Sequence, residues 1–542
     1  MEEPRTGDNE PRKFAQNAYE ETTEESSTKP LDEAIAEAHE NLLPTKKLLV
    51  VFSALALSLF LAFVDQTAIT VALPYIAEEF DAQSTISWAG TASLISNTVF
   101  MVLFGRFSDI FSRKYVLMTA MVILGVFELA CGFAQTSTQL YVFRAFCGIG
   151  VGGITSLSMV IVSDVVTLEN RGKYQGILGA CVGLGNACGP FLASAYITRL
   201  SWRKLYYMLC PIVLGSCLVI FWLVPYTHQR VGVKQKLLQI DFFGFLASSI
   251  AIIFTLIPLS GGGSTYPWSS PLVISFFCIG STFIFIFLYV ECKVTLPMIP
   301  LRLFTVSPSL TVLISQNLFF GMTYFSQLYF IPYYLQIVRE FSVVKTSCYM
   351  LSLVLPQVTS SITSGQLISR TKRYLPFVLV GYFSWTLGTC LLAMWTATSS
   401  KSQIIIPLIF SGIGIGSVFQ PTLVAAQAQS YRKDRATVIS TRNVLRSMGG
   451  AIGLAISSTL ISNYFKKGLQ ERLPAFADSL GSYIFSVDLK ALSSDEAHIL
   501  QGIYMDALKH AFYFWMGCMS YCLCSMVFVR DHGLEPLDGR SP

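Results

Sequence analysis

Fourteen mostly apolar stretches follow one another along this chain, each about long enough to cross the hydrocarbon core of a bilayer as a helix. They run roughly over 48–74, 86–105, 115–134, 139–162, 173–197, 205–225, 242–260, 271–290, 309–336, 346–369, 375–397, 404–428, 437–464 and 508–529. Hydrocarbon offers no partner for a loose backbone N–H or C=O, so spans of this kind commit the chain to helices. The expected fold class is an all-α integral membrane protein with 14 transmembrane helices. Only 13% of its 542 residues are charged, about half of what a soluble chain carries. That leaves too little polar surface to coat a water-soluble body. Pro258 with Gly261-Gly262-Gly263 breaks the seventh stretch late, and Pro356 interrupts the tenth. Neighbouring helices can satisfy the backbone groups that proline frees, so both stretches are kept as spans.

Basic residues orient the spans, because short cytoplasmic loops collect Lys and Arg. One alternate set of loops holds Arg113/Lys114, Arg171/Lys173, Arg230/Lys234/Lys236, Lys293/Arg302, Arg370/Lys372/Arg373 and Arg432/Lys433/Arg435. The other set is acidic at Glu78, Glu79 and Asp81 and uncharged after spans 3 and 7. Both termini are therefore expected in the cytosol, as an even number of spans requires. Residues 1–47 read as a disordered acidic cytosolic tail rather than a signal or transit peptide, and 531–542 as a second cytosolic tail. A long non-cytoplasmic loop is expected over 465–507.

Several chemistries are excluded by what the chain lacks. No glycine-rich loop ends in Lys-Ser/Thr, so ATP is not expected to drive transport. Neither HExxH nor GxSxG occurs, and the five His lie in tails, loops or span edges, so an enzyme is not expected. Most of the 13 Cys sit in apolar stretches as small hydrophobes, and no metal or other cofactor is expected. Nucleic acid is not an expected partner; lipid, protons and a small organic solute are, with the chain acting as a monomer.

Ionisable groups inside spans are costly in lipid and mark interior paths. Asp65 in span 1, Glu128 in span 3 and Arg144 in span 4 are the candidates for proton coupling. A carboxyl there can titrate, whereas arginine stays charged and can tune a neighbouring acid. Asp65 and Arg144 also have structural readings, and for Glu128 interior packing is the simpler one. Between spans 2 and 3, Gly105, Asp109, Arg113 and Lys114 form a tight charged loop suited to latching helix ends. Topology alone accounts for Arg113 and Lys114 but not for Asp109. Span 5 carries Gly176, Gly179, Gly183, Gly185 and Gly189 before Pro190, a flat face for close helix packing. Phe319, Tyr324, Tyr329 and Tyr333 give span 9 an aromatic lining suited to apolar guests, unless they are core.

In this order the segments resemble the major facilitator superfamily. Gly105-x3-Asp109-x3-Arg113-Lys114 looks like its loop signature, Arg144 to Gly150 its span 4 motif, and Gly185-x3-Gly189-Pro190 the antiporter motif of span 5. Val64 to Pro74, Ser201-Trp202-Arg203, Asp241 to Gly244, Tyr266-Pro267-Trp268 and Arg446-x2-Gly449-Gly450 resemble the fourteen-span drug:proton antiporters, fungal members above all. The chain departs from the pattern at Ile110, Ser112, Cys147 and Ala193-Ser194. The resemblance implies two six-helix bundles, 48–225 and 301–530, with two spans inserted between them over 226–300. Gly365 to Arg370 faintly echoes the loop signature in the second half, as internal repeats in transporters do.

The function implied is proton-coupled efflux of small amphipathic organic compounds such as drugs, toxins or secondary metabolites. The alternative is a proton-coupled carrier of a hydrophilic metabolite, such as a vacuolar amino acid or an iron chelate. The resemblance favours the plasma membrane over the vacuolar membrane.

Overall fold

The computed structural model describes residues 45–82, 85–86, 88–223, 241–262, 266–294, 297, 301–431, 434–474 and 494–534. The acidic tail lies outside the described residues except for 45–47, which open the first helix. The long helices are α1 Thr45–Glu79, α2 Trp88–Ile110, α3 Arg113–Gly132, α4 Ser137–Val165, α5 Leu168–Arg199, α6 Trp202–Leu223 and α7 Phe242–Gly261. They continue as α8 Pro271–Lys293, α9 Pro308–Tyr333, α10 Val343–Thr371, α11 Leu375–Ala393, α12 Lys401–Phe419, α13 Arg435–Arg472 and α14 Ser494–Ser525.

Twelve of these helices are long and apolar enough to cross a membrane. The other two, α9 and α10, carry rows of buried polar side chains, among them Gln316, Asn317 and Gln327 on α9 and Gln357, Ser360 and Ser361 on α10. Helix starts follow the local chemistry. Thr136 accepts from Gln139 N ahead of α4, Ser307 precedes Pro308 at the start of α9, and Ser400 with Gln403 forms a capping box on α12. Pro258 and Pro356 stay inside α7 and α10.

Two extents differ from the sequence reading. Within the stretch expected as a loop over 465–507, residues 465–472 prolong α13 and 494–507 open α14, while 475–493 lie outside the described residues. The twelfth stretch is broken at Gln420, with a separate helix Pro421–Ala428 beyond it, since proline cannot donate into the preceding turn.

The helices α1–α6 pack as one bundle and α9–α14 as another, while α7 and α8 pair with each other and α7 lies against α2 and α13. Between the bundles, α5 runs along α10, and α2 and α4 meet α13. Small residues permit this approach. A Cβ on Gly172 or Gly176 would lie within 2.8 Å of the α10 backbone, and Ser361 Oγ donates to Gly176 O at 2.8 Å. These contacts lie at the end that carries the basic loops.

Candidate functional site

Asp65, Glu128 and Arg144 come from three helices and meet inside the first bundle. Glycines set their spacing. On α4, a Cβ at Gly150 would lie 2.7 Å from Ala120 O, which brings α4 against α3. On α5, Gly185 and Gly189 sit against Phe60 O and Val64 O, each 2.8 Å from an added Cβ, and so hold α1 at the turn that carries Asp65. Pro190 follows within the unbroken α5.

Arg144 donates through one terminal nitrogen to Asp65 Oδ1, and the two side chains are 1% and 2% exposed. Glu128 is fully buried and its carboxyl faces Asp65. Neither Glu128 oxygen accepts a hydrogen bond among the described residues, nor does Asp65 Oδ2, and Arg144 Nε donates to nothing. The unpartnered hydroxyl of Tyr206 and the thiol of Cys147 border Arg144, with Cys147 Sγ 3.9 Å from Cys131 Sγ. Two acids and one guanidinium thus share a site with few other hydrogen-bonding groups.

The loop between α2 and α3 lies at the basic end. Gly105 lies against the Ser440 side chain of α13, so α2 has no room for a side chain there. Arg113 pairs with Asp164 of α4 and donates to Ser108 Oγ at 2.8 Å. Lys114 sits 5.1 Å from the centre of the Phe221 ring. Asp109 closes α2, and its side chain lies outside the description. Across the bundle boundary, Lys372 Nζ meets Glu169 at 2.5 Å and Lys173 N donates to Ser369 Oγ at 2.9 Å. At the opposite end, Glu79 accepts from Trp202 Nε1 at 2.6 Å and pairs with Arg203. Burial pushes the Glu79 carboxyl up, but the bonds from Trp202 and Arg203 outweigh it and leave it below the usual carboxylate range.

The four aromatic residues of α9 separate. Tyr324 is buried at the boundary between bundles, where Asn186 Nδ2 of α5 donates to its hydroxyl at 2.5 Å and Gln357 Nε2 of α10 at 3.5 Å. Phe319 packs on Tyr521 of α14, and the Tyr329 and Tyr333 hydroxyls are 3.5 Å apart. Two residues not weighed as site candidates lie near Tyr324. Arg442 and Arg446 of α13 are 0% and 2% exposed, and their guanidinium carbons lie 5.4 and 4.7 Å from the centre of the Phe419 ring. In sequence they look like interfacial basic residues at the mouth of a span. A helical spacing of four that puts two arginines inside an apolar stretch was the signal available.

A model of the Major Facilitator Superfamily matches residues 55–454. Citrate exporter 1 of Yarrowia lipolytica is 44% identical over 504 residues, covering 91% of this chain and 74% of that protein. The MFS-type efflux pump MFS1 of Arthroderma benhamiae is 28% identical over 521 residues, covering 94% and 95%. The crystal structure of the human organic anion transporter MFSD10 (TETRAN) aligns with a TM-score of 0.58 at 14% identity, over 88% of this chain and 99% of that one, a likeness of fold.

Proposed function

The chain belongs to the major facilitator superfamily, and from that premise we propose that it is a proton-coupled exporter of small organic molecules. The observation that carries the coupling is the Asp65–Arg144–Glu128 cluster. If both acids ionised, one buried negative charge would have no counter-ion, at a cost of several kcal/mol. The cluster therefore holds one proton. Asp65 has the guanidinium; Glu128 has no donor among the described residues, which makes it the better place for that proton. Because the two carboxyls lie side by side, a proton on one can pass to the other of the pair. Moving Arg144 away, or admitting water, changes the pair's hold on that proton, and alternation between access states does both.

Export is supported by the relatives, a citrate exporter and an efflux pump. It is also supported by the close seating of Gly185 and Gly189 on α1 beside Asp65. The closed contacts at the basic end, taken as the cytoplasmic side, form the inner gate, with Asp109 as part of its latch. We assign the chain to the plasma membrane as a monomer whose energy comes from the proton gradient rather than ATP. Among the two substrate classes open from sequence, the buried arginines near Tyr324 favour a hydrophilic solute, as does the citrate exporter relative.

The test uses the full chain in sealed liposomes with a pH-sensitive dye inside. A substrate gradient is expected to drive protons in the opposite direction, and an imposed pH gradient to drive substrate accumulation. Substrate flux with neither response would remove the coupling.

A further inference from the structure

Arg442 and Arg446 lie one turn apart on α13, and neither pairs with a carboxylate among the described residues. A guanidinium cannot discard its charge in a protein, so burial without a counter-ion is costly. The structure offsets that cost unevenly. Arg442 donates to Phe419 O, to Thr422 Oγ1 at 3.3 Å and to Asn443 Oδ1 at 3.3 Å, leaving only Nε unused. Among the described residues, Arg446 leaves both Nε and Nη1 without an acceptor. Both lie over the Phe419 ring, whose face attracts cations but accepts none of these hydrogens.

The surroundings are unsatisfied in the same sense. Gln420 is fully buried at the break between α12 and the helix Pro421–Ala428, and neither atom of its amide has a partner among the described residues. Non-helical backbone at membrane depth is tolerated where it is enclosed by protein or lines a cavity. The first bundle forms the facing wall. A Cβ on Gly179 of α5 would lie 2.7 Å from Gln420 Cγ, and Asn186 of α5 bonds Tyr324. Separating the bundles therefore opens this place.

We propose that Arg446 and Arg442, with Gln420, grip the carboxylates of the transported substrate, and that this substrate is a small organic acid with at least two carboxylates. The inference rests on reading the chain as a proton-coupled exporter, and it names that exporter's substrate class. A dianion neutralises both guanidiniums and gives the free nitrogens planar oxygen acceptors. A monocarboxylate leaves one buried cation uncompensated, and a cationic amphipath is repelled by both.

The experiment measures binding to the full-length protein in nanodiscs, with radiolabelled citrate, succinate, lactate and the cationic dye rhodamine 6G as probes. Citrate and succinate are expected to bind at least about tenfold more tightly than lactate, and rhodamine 6G not to displace them. Arg446→Gln is expected to weaken citrate binding by at least about tenfold, and Arg446→Lys by less, since it keeps the charge but not the fork. Gln420→Glu keeps the side-chain size and is expected to abolish citrate binding, which preserves the test if Arg446→Gln does not fold. Wild-type citrate affinity in folded Arg446→Gln and Gln420→Glu, or a wild-type preference for rhodamine 6G, overturns the assignment. Proton movement is recorded separately in liposomes. Carboxylate binding without proton-linked flux sustains this site and defeats the coupling. Proton-linked flux of rhodamine 6G without carboxylate binding defeats the site and sustains the coupling.

Discussion

In the first six helices the buried charge at the centre is two acids around one arginine, Asp65 and Glu128 with Arg144. In the last six it is two arginines, Arg442 and Arg446, with no acid paired to them among the described residues. The chemistry of the side chains fits this difference to the proposed division of labour. A carboxyl can release or recover a proton as its surroundings change, so an acid-rich cluster can carry one with no solute present. Arginine keeps its charge throughout, so a cluster of two can be discharged only by an anion. On the proposed reading, proton handling belongs to the first half and solute binding to the second. The two halves meet along α5, where Gly172 and Gly176 lie against α10.

The largest expected effect comes from removing the one cation of the acidic half. Arg144→Gln leaves two buried acids without a counter-ion, which costs about 3–5 kcal/mol when a buried pair is broken. Thermal unfolding in detergent should show a lowered melting temperature, and transport should be lost. An unchanged melting temperature would mean that Asp65 and Glu128 are not held by Arg144.

A smaller and more selective effect is expected at Glu128. Glu128→Gln keeps the size and the Asp65–Arg144 pair while removing the acid with no donor, so stability should change by no more than about 1 kcal/mol. Flux against external pH should flatten while flux at saturating substrate persists. Wild-type pH dependence would reduce Glu128 to packing and sharpen the case for Asp65 alone.

The smallest effects concern the seam. Lys372 and Glu169 are about 60% and 57% exposed. A pair this open to solvent contributes about 0–1 kcal/mol, so Lys372→Ala should change flux by less than about fivefold, and high salt should mimic it. Asp109→Asn should reduce flux with near-normal membrane abundance. Full wild-type flux there would leave the loop between α2 and α3 as a topology signal.

The helices were legible because apolar runs of bilayer length leave few alternatives, and most helix limits fall within a few residues of the sequence boundaries; twelve of the fourteen expected spans are apolar and long enough to cross a membrane. The hydropathy pattern falls short where a helix runs on into charged sequence. The charged stretch from Lys466 to Arg472 looks like a loop by hydropathy, yet it prolongs α13, where Phe465 and Leu469 remain buried. Asp65 and Arg144 could be picked out because a charge inside an apolar run is conspicuous, but that Glu128 faces them depends on how α3 packs on α4, which glycine spacing hints at without fixing. Arg442 and Arg446 escaped because they sit near the start of α13, just after Arg432, Lys433 and Arg435, and blend into the basic residues of that loop. On α9, Phe319 and Tyr324 read alike as aromatic lining, but they face different helices.

The division between halves is tested most directly at Asp65. Asp65→Asn in sealed liposomes should be assayed twice with the same labelled substrate, once for exchange across the membrane at equal pH and once for accumulation driven by an imposed pH gradient. The account predicts that exchange continues, because the solute site in the second half is intact, while driven accumulation is lost. If exchange and driven accumulation fall together, or if accumulation keeps its wild-type pH dependence, proton and solute are not handled by separate halves.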